Sequence, residues 1–280
     1  MPFQMLLCVD GSPYSEAASR LALELLARVD AGGLTVLHVV NVVAPSGNLL
    51  KDLPGHLGFE PAIVSAEVGE QHDALGRSML NALKLDAQQR GLEITTVLEH
   101  GAVAERIAHW AGRFDVVLMG IRGETEARYP GQGGGSVHAV LSNVAAPVLL
   151  VPVGGTTLKS LAVAYDGSPA SRHALAIVSP LVDALSLPVH AIYVAQDQEQ
   201  AESSQVLDEV AAQLPSHVVL TREIIVSPSV HQGLADAATA SSCSALALGF
   251  RGNHPIKDFV YGSASEYLVS KTNLIVLIAH

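Results

Sequence analysis

Short apolar runs recur along this chain, each closed by a polar turn and followed by apolar positions at helical spacing. Met5–Pro13 reads MLLCVDGSP, and Leu161–Pro169 reads LAVAYDGSP. Both predict a strand, a tight Asp-Gly turn and a helix start. Ser12 and Ser168 are placed as N-caps, and Pro13 and Pro169 fall at or near the first helical position. In the first helix Ala18, Leu21, Ala22, Leu25 and Leu26 share one face, so that face is expected against a sheet.

The rest of the unit repeats too. Leu34–Val40 and Val189–Ala195 predict second strands, with helices over about Asp73–Arg90 and Gln198–Leu214. Ile94–Glu99 and Val218–Val226 predict third strands, each followed by a helix. Val116–Gly120 and Ala245–Gly249 are the fourth strands; Val148–Val151 and Leu274–Ile278 are the fifth. Strands alternating with helices imply parallel sheets with right-handed crossovers. The chain is therefore an α/β protein of two tandem doubly wound domains, residues 1–154 and 159–280, divided where glycine and threonine interrupt the pattern at Val153–Lys159. The first half carries an extra segment, about Ala44–Glu70. Its LPGHLGFEP core predicts a packed loop or short helical turn, either a plain surface loop or a lid or partner-binding element. The fifth strands are short, very apolar and last in their domains, so they are expected to pair as an internal pseudo-dimer, with assembly into a homodimer left open.

Composition narrows the function. Aliphatic residues are plentiful and aromatics only 4%, as in a well-buried α/β protein. No apolar run approaches the roughly 20 residues of a membrane span. The first residues lack the basic start of a signal peptide, so a cytoplasmic location is expected. A formal net charge of −11 argues against nucleic-acid partners and against an anionic membrane surface. Cys8 and Cys243 read as buried structural thiols, and the twelve histidines form no metal-binding spacing.

Ligands of a doubly wound sheet bind outside the carboxyl ends of the strands. The Asp10 and Asp166 turns and the loops after the fourth strands should meet on that edge. In the second half Gly249 and Gly252 permit close backbone approach, and Gly262-Ser263 open a helix whose first N–H groups lack partners. That suits an anion, although glycine after a strand and Gly-Ser before a helix also serve as plain turns and caps. The pattern recurs: Met119-Gly120-Ile121-Arg122-Gly123 matches Leu248-Gly249-Phe250-Arg251-Gly252. Arg122 and Arg251 either pair with phosphate or are exposed or carboxylate-paired.

Asp-Gly-Ser after the first strand, then Gly-x2-Gly-x9-Gly-Ser after the fourth, resembles the universal stress protein family, over nearly the whole chain. The resemblance implies five-stranded parallel sheets of order 3-2-1-4-5 that hold ATP, or ADP or AMP, with or without Mg2+. It implies that Asp166 and the backbone of Tyr165 meet adenosine, and that Val194 and Leu248 contact base or nucleoside. Gly249, Gly252, Gly262, Ser263 and Ala264 would surround ribose and phosphates. In the first half the matching positions are Val9, Asp10, Val39, Met119, Gly120, Gly123, Gly135, Ser136 and Val137. There, eleven residues rather than nine follow Gly123, and they include Glu124 and Glu126. Tighter nucleotide binding is therefore expected in the second half.

Neither glycine loop has the Gly-Lys-Ser/Thr of a Walker loop, and the SGGxDS and HxGH patterns of related nucleotide enzymes are absent. A triphosphate held without an oriented nucleophile is a bound ligand. The reading is an adenine-nucleotide-binding stress or regulatory protein with an unidentified protein partner. The alternatives are a slow ATPase or nucleotide-dependent transferase, and an interaction module that binds no nucleotide.

Overall fold

The computed structural model describes residues 3–29, 32–41, 61–123, 135–155, 157–203, 205–249 and 274–279. The first half runs β1 (Gln4–Val9), α1 (Pro13–Arg28), β2 (Gly33–Val40), α2 (Pro61–Gln89), β3 (Thr95–His100), α3 (Val103–Ala111), β4 (Val116–Gly120), α4 (Gly135–Asn143) and β5 (Val148–Val151). The second runs β6 (Leu161–Ala164), α5 (Pro169–Leu185), β7 (Val189–Ala195), α6 (Gln198–Ser203), α7 (Asp208–Gln213), β8 (Leu220–Val226), α8 (Val230–Ala240), β9 (Ala245–Gly249) and β10 (Ile275–Ala279). Within each half the strands are parallel and lie in the expected order 3-2-1-4-5.

Two elements differ from the sequence expectation. The second helix begins at Pro61, not near Asp73, so 61–70 of the expected irregular insertion is helix. Proline is well suited to a first helical turn, where its missing N–H has no partner to lose. The remainder of that insertion, including most of its LPGHLGFEP core, lies outside the described residues. In the second half the single helix expected over Gln198–Leu214 is two short ones, α6 and α7. Serines at 203 and 204 favour caps and turns over helix interiors, and the following Leu207 turns inward to 5% exposure.

The two sheets are one. Strands β5 and β10 pair antiparallel, with Leu150 opposite Val276, Leu149 opposite Leu277 and Val148 opposite Ile278, giving a ten-stranded sheet. These side chains are buried, and helices cover both faces of the whole sheet: α1, α2, α5 and α7 pack on one, and α3, α4 and α8 on the other. Arg28, at the end of α1, fastens the halves further by donating to the carbonyls of Leu158 and, at 3.2 Å, Leu185. Beneath this junction a cavity of about 270 Å3 opens at the amino edge of β4, lined by Phe3, Val116, Pro147, Ile177, Leu181 and Leu277 among others. No helix among the described residues is long and apolar enough to cross a membrane.

Because the seam is shared, the halves should unfold together. Leu277 is 1% exposed and faces Leu149 across the seam, so Leu277→Ala is expected to cost about 2–5 kcal/mol. Calorimetric unfolding should give one transition at lower temperature. A second-half transition that moves alone would contradict the shared seam.

Candidate functional site

The Asp-Gly-Ser-Pro turn folds alike in both halves because its side chains supply its own hydrogen bonds. The Asp10 carboxylate accepts the Ser12 N–H at 3.0 Å, and Asp166 accepts that of Ser168 at 3.0 Å. Between them Gly11 and Gly167 take φ of 81° and 70°, a left-handed conformation that favours glycine. Ser12 then caps α1, accepting the Ser15 N–H at 3.1 Å, and Ser168 caps α5 through Ser171 at 3.2 Å. Each aspartate is thus pinned through one oxygen at the carboxyl end of its strand. Burial tends to raise the Asp166 pKa, but hydrogen bonds from the Ser168 side chain and backbone, and from Ser171, hold it below the ordinary aspartate value. Neighbouring Cys8 is pushed up to about 12 by burial and by the charge of Asp10, so it stays a neutral thiol.

The glycines that end the fourth strands have a packing role that sequence spacing did not disclose. A Cβ on Gly120 would sit 2.6 Å from the Tyr14 Cβ and 2.9 Å from the Tyr14 carbonyl carbon. On Gly249 it would sit 2.6 Å from the Ala170 oxygen. These glycines let the first turn of α1 or α5 press onto the strand end, which brings the aspartate turn beside that end. Gly123 shows the result: a Cβ there would lie 3.4 Å from Oδ2 of Asp10. Arg122 stands in the same turn, partly exposed, and Gly135 and Ser136 open α4. The second-half counterparts Arg251, Gly252, Gly262, Ser263 and Ala264 lie outside the described residues.

An apolar wall adjoins each turn. Val39, Met119 and Val137 belong to one buried cluster with Ile107, and Val194 and Leu248 are buried on the same face with Leu234. Val9 packs on the opposite face, so only its backbone reaches the edge, and its carbonyl accepts the His38 Nδ1–H at 2.8 Å. Tyr165 likewise turns away. Its hydroxyl donates to Glu209 at 2.8 Å, where Arg172 also binds Glu209 at 2.9 and 3.0 Å, and its N–H donates to Ile192 at 2.9 Å. His38 was missed from the sequence, although a lone imidazole in the apolar run LTVLHVV was a signal.

The sequence profile of the universal stress protein family matches residues 1–152 and again 157–280. The chain belongs to the universal stress protein family. Universal stress protein Slr1230 of Synechocystis sp. is 24% identical over 283 residues, spanning 98% of each chain. The crystal structure of a universal stress protein from Archaeoglobus fulgidus superposes with a TM-score of 0.72 at 18% identity, over 99% of this chain and 97% of that one. The shared fold thus extends across both halves. Within it, the aspartate turn beside a strand-end glycine occurs twice.

The lowered Asp166 pKa has a pH consequence. A depressed carboxylate stabilises the fold above its unfolded pKa and loses that contribution as pH falls through the folded value. Acidification through the ordinary aspartate value, about 3.9, and below should therefore remove it. Urea titrations of wild type and Asp166→Asn at stepped pH should converge as pH falls. A constant difference at all pH would show that ionisation of Asp166 carries no stability.

Proposed function

We propose that this universal stress protein binds adenine nucleotide, ATP or else ADP or AMP, with or without Mg2+, and acts in the cytoplasm as a stress or regulatory protein. Two domains, 1–154 and 159–280, would each offer a site at the carboxyl edge of the sheet. The observation that carries this reading is the convergence at the strand ends. In the first half the Oδ2 of the pinned Asp10 faces Gly123 closely enough that a Cβ added there would lie 3.4 Å from it. An aspartate acceptor suits the N–H groups of a base, and an apolar wall beside it suits the base's faces. Phosphates would then fall to the glycine loop and the amino end of the next helix, whose unpaired N–H groups favour anions. Binding rather than turnover is proposed because neither loop carries the Walker lysine.

The second half should bind more tightly, since its loop keeps the nine-residue spacing and lacks the Glu124 and Glu126 of the first. Mass spectrometry of small molecules released from gently purified protein should detect an adenine nucleotide. Calorimetric titration should find Gly252→Val weakened about tenfold or more, roughly 1.4 kcal/mol, and Gly123→Val affected less. Equal losses would make the sites equivalent. Full retention by both variants would remove the loops as the nucleotide cradle. Turnover of bound ATP in a single-turnover assay with Mg2+ would replace binding with catalysis.

A further inference from the structure

The two halves differ beside the end of the second strand. Gly101 follows β3 and donates its N–H to Val40 at 3.1 Å; Ser227 follows β8 and donates to Ala195 at 2.9 Å. Val103, Ile107 and Ala111 of α3 and Val230, Leu234 and Ala238 of α8 then pack on one face of the sheet at the same four-residue spacing, each set counted from the first residue of its helix. By this register, Arg106 in the first half corresponds to Gly233 in the second. A Cβ on Gly233 would lie 3.1 Å from Val194 Cγ1 and 3.0 Å from Ser227 Cβ, so this position adjoins the valine wall. In the first half, small Gly101 makes room instead. A Cβ there would lie 3.5 Å from the Arg106 Nε, and that Nε is buried with no hydrogen-bond partner. A buried guanidinium N–H without an acceptor is uncommon, because its lost hydration is not replaced.

Charge on the other side of the turn is reversed as well. The third residue after Pro13 is Glu16, and the third after Pro169 is Arg172. The first half therefore places a cation, Arg106, next to the β2 end, and the second places Arg172 beside its Asp-Gly turn, where a Cβ on Gly167 would be 3.8 Å from Arg172 Nη2.

We propose that Arg106 is the specificity-determining residue of the first-half site, which takes an adenine nucleoside carrying a phosphate on its ribose 2′ or 3′ oxygen. The inference rests on the adenine-nucleotide reading above, which puts the nucleoside against Val39. A 5′ phosphate chain runs from there toward the glycine loop, away from Arg106. An anion able to reach Arg106 must be attached to the nucleoside itself. Phosphate fits best, since a guanidinium fork meets two phosphate oxygens at once through charge-assisted hydrogen bonds. The second half, with glycine at the corresponding position, has no such donor there.

The test is calorimetric titration of the full chain with adenosine, 5′-AMP, 2′-AMP and 3′-AMP, in wild type, Arg106→Gln and Arg106→Lys. The 2′- or 3′-phosphate should bind wild type at least about tenfold tighter than adenosine. Arg106→Gln should abolish that advantage without weakening adenosine, and Arg106→Lys should restore part of it. Hydrogen exchange of segment 101–107 should slow with the 2′- or 3′-phosphate in wild type and not in the glutamine variant. No advantage over adenosine in wild type, or an advantage kept by Arg106→Gln, overturns the proposal. If 5′-nucleotides still bind in either case, the adenine-nucleotide reading survives. If no adenine compound binds, both fall.

Discussion

The carboxyl edge of each half depends on one close approach, between the first turn of a helix and the last residue of the fourth strand. With only hydrogen at the Gly120 and Gly249 α-carbons, α1 and α5 settle within contact of the strand backbone. That approach carries the aspartate turn to the end of the fourth strand. A single methyl group would force the two apart, because the atoms it meets belong to the backbone of Tyr14 or Ala170 or to Cβ atoms fixed on it. The Ser12 and Ser168 caps then fix the angle at which each helix leaves its turn. Local chemistry and tertiary packing agree at this point, and they agree twice in one chain.

The second constraint is the seam. An apolar fifth strand with a free edge would invite association with other chains. Here each such strand meets its counterpart from the other half, so the tandem arrangement satisfies both within one molecule. The consequence is a single sheet whose outer edges are β3 and β8. The two candidate sites therefore share a rigid frame, and Arg28 ties the helices above it.

Much of this was legible in the sequence because it is local. Asp-Gly-Ser-Pro encodes a turn, a cap and a helix start within four residues, and a parallel sheet follows from repeated alternation, whereas the order of its strands was implied by the family resemblance alone. What escaped is non-local or positional. The spacing of Gly120 and Gly249 suggested a ligand cradle, while the contact that requires them comes from Tyr14 and Ala170, more than a hundred and about eighty residues away. Arg106 and Gly233 carry no motif; their relation emerges only when both halves are laid on one sheet. The early start of α2 was hidden because Pro61 reads as a breaker unless its place in the first turn is known. The break between α6 and α7 was hidden by a run of helix-compatible residues on both sides of two serines.

Hydrogen–deuterium exchange of the intact chain with and without ATP tests the central claim most directly. The account predicts slowed exchange at both aspartate turns, residues 10–12 and 166–168, and at the strand ends 120–123 and 248–249, with the larger effect in the second half. Protection confined to the cavity between the halves, at segments containing Phe3, Val116 and Leu181, would contradict it.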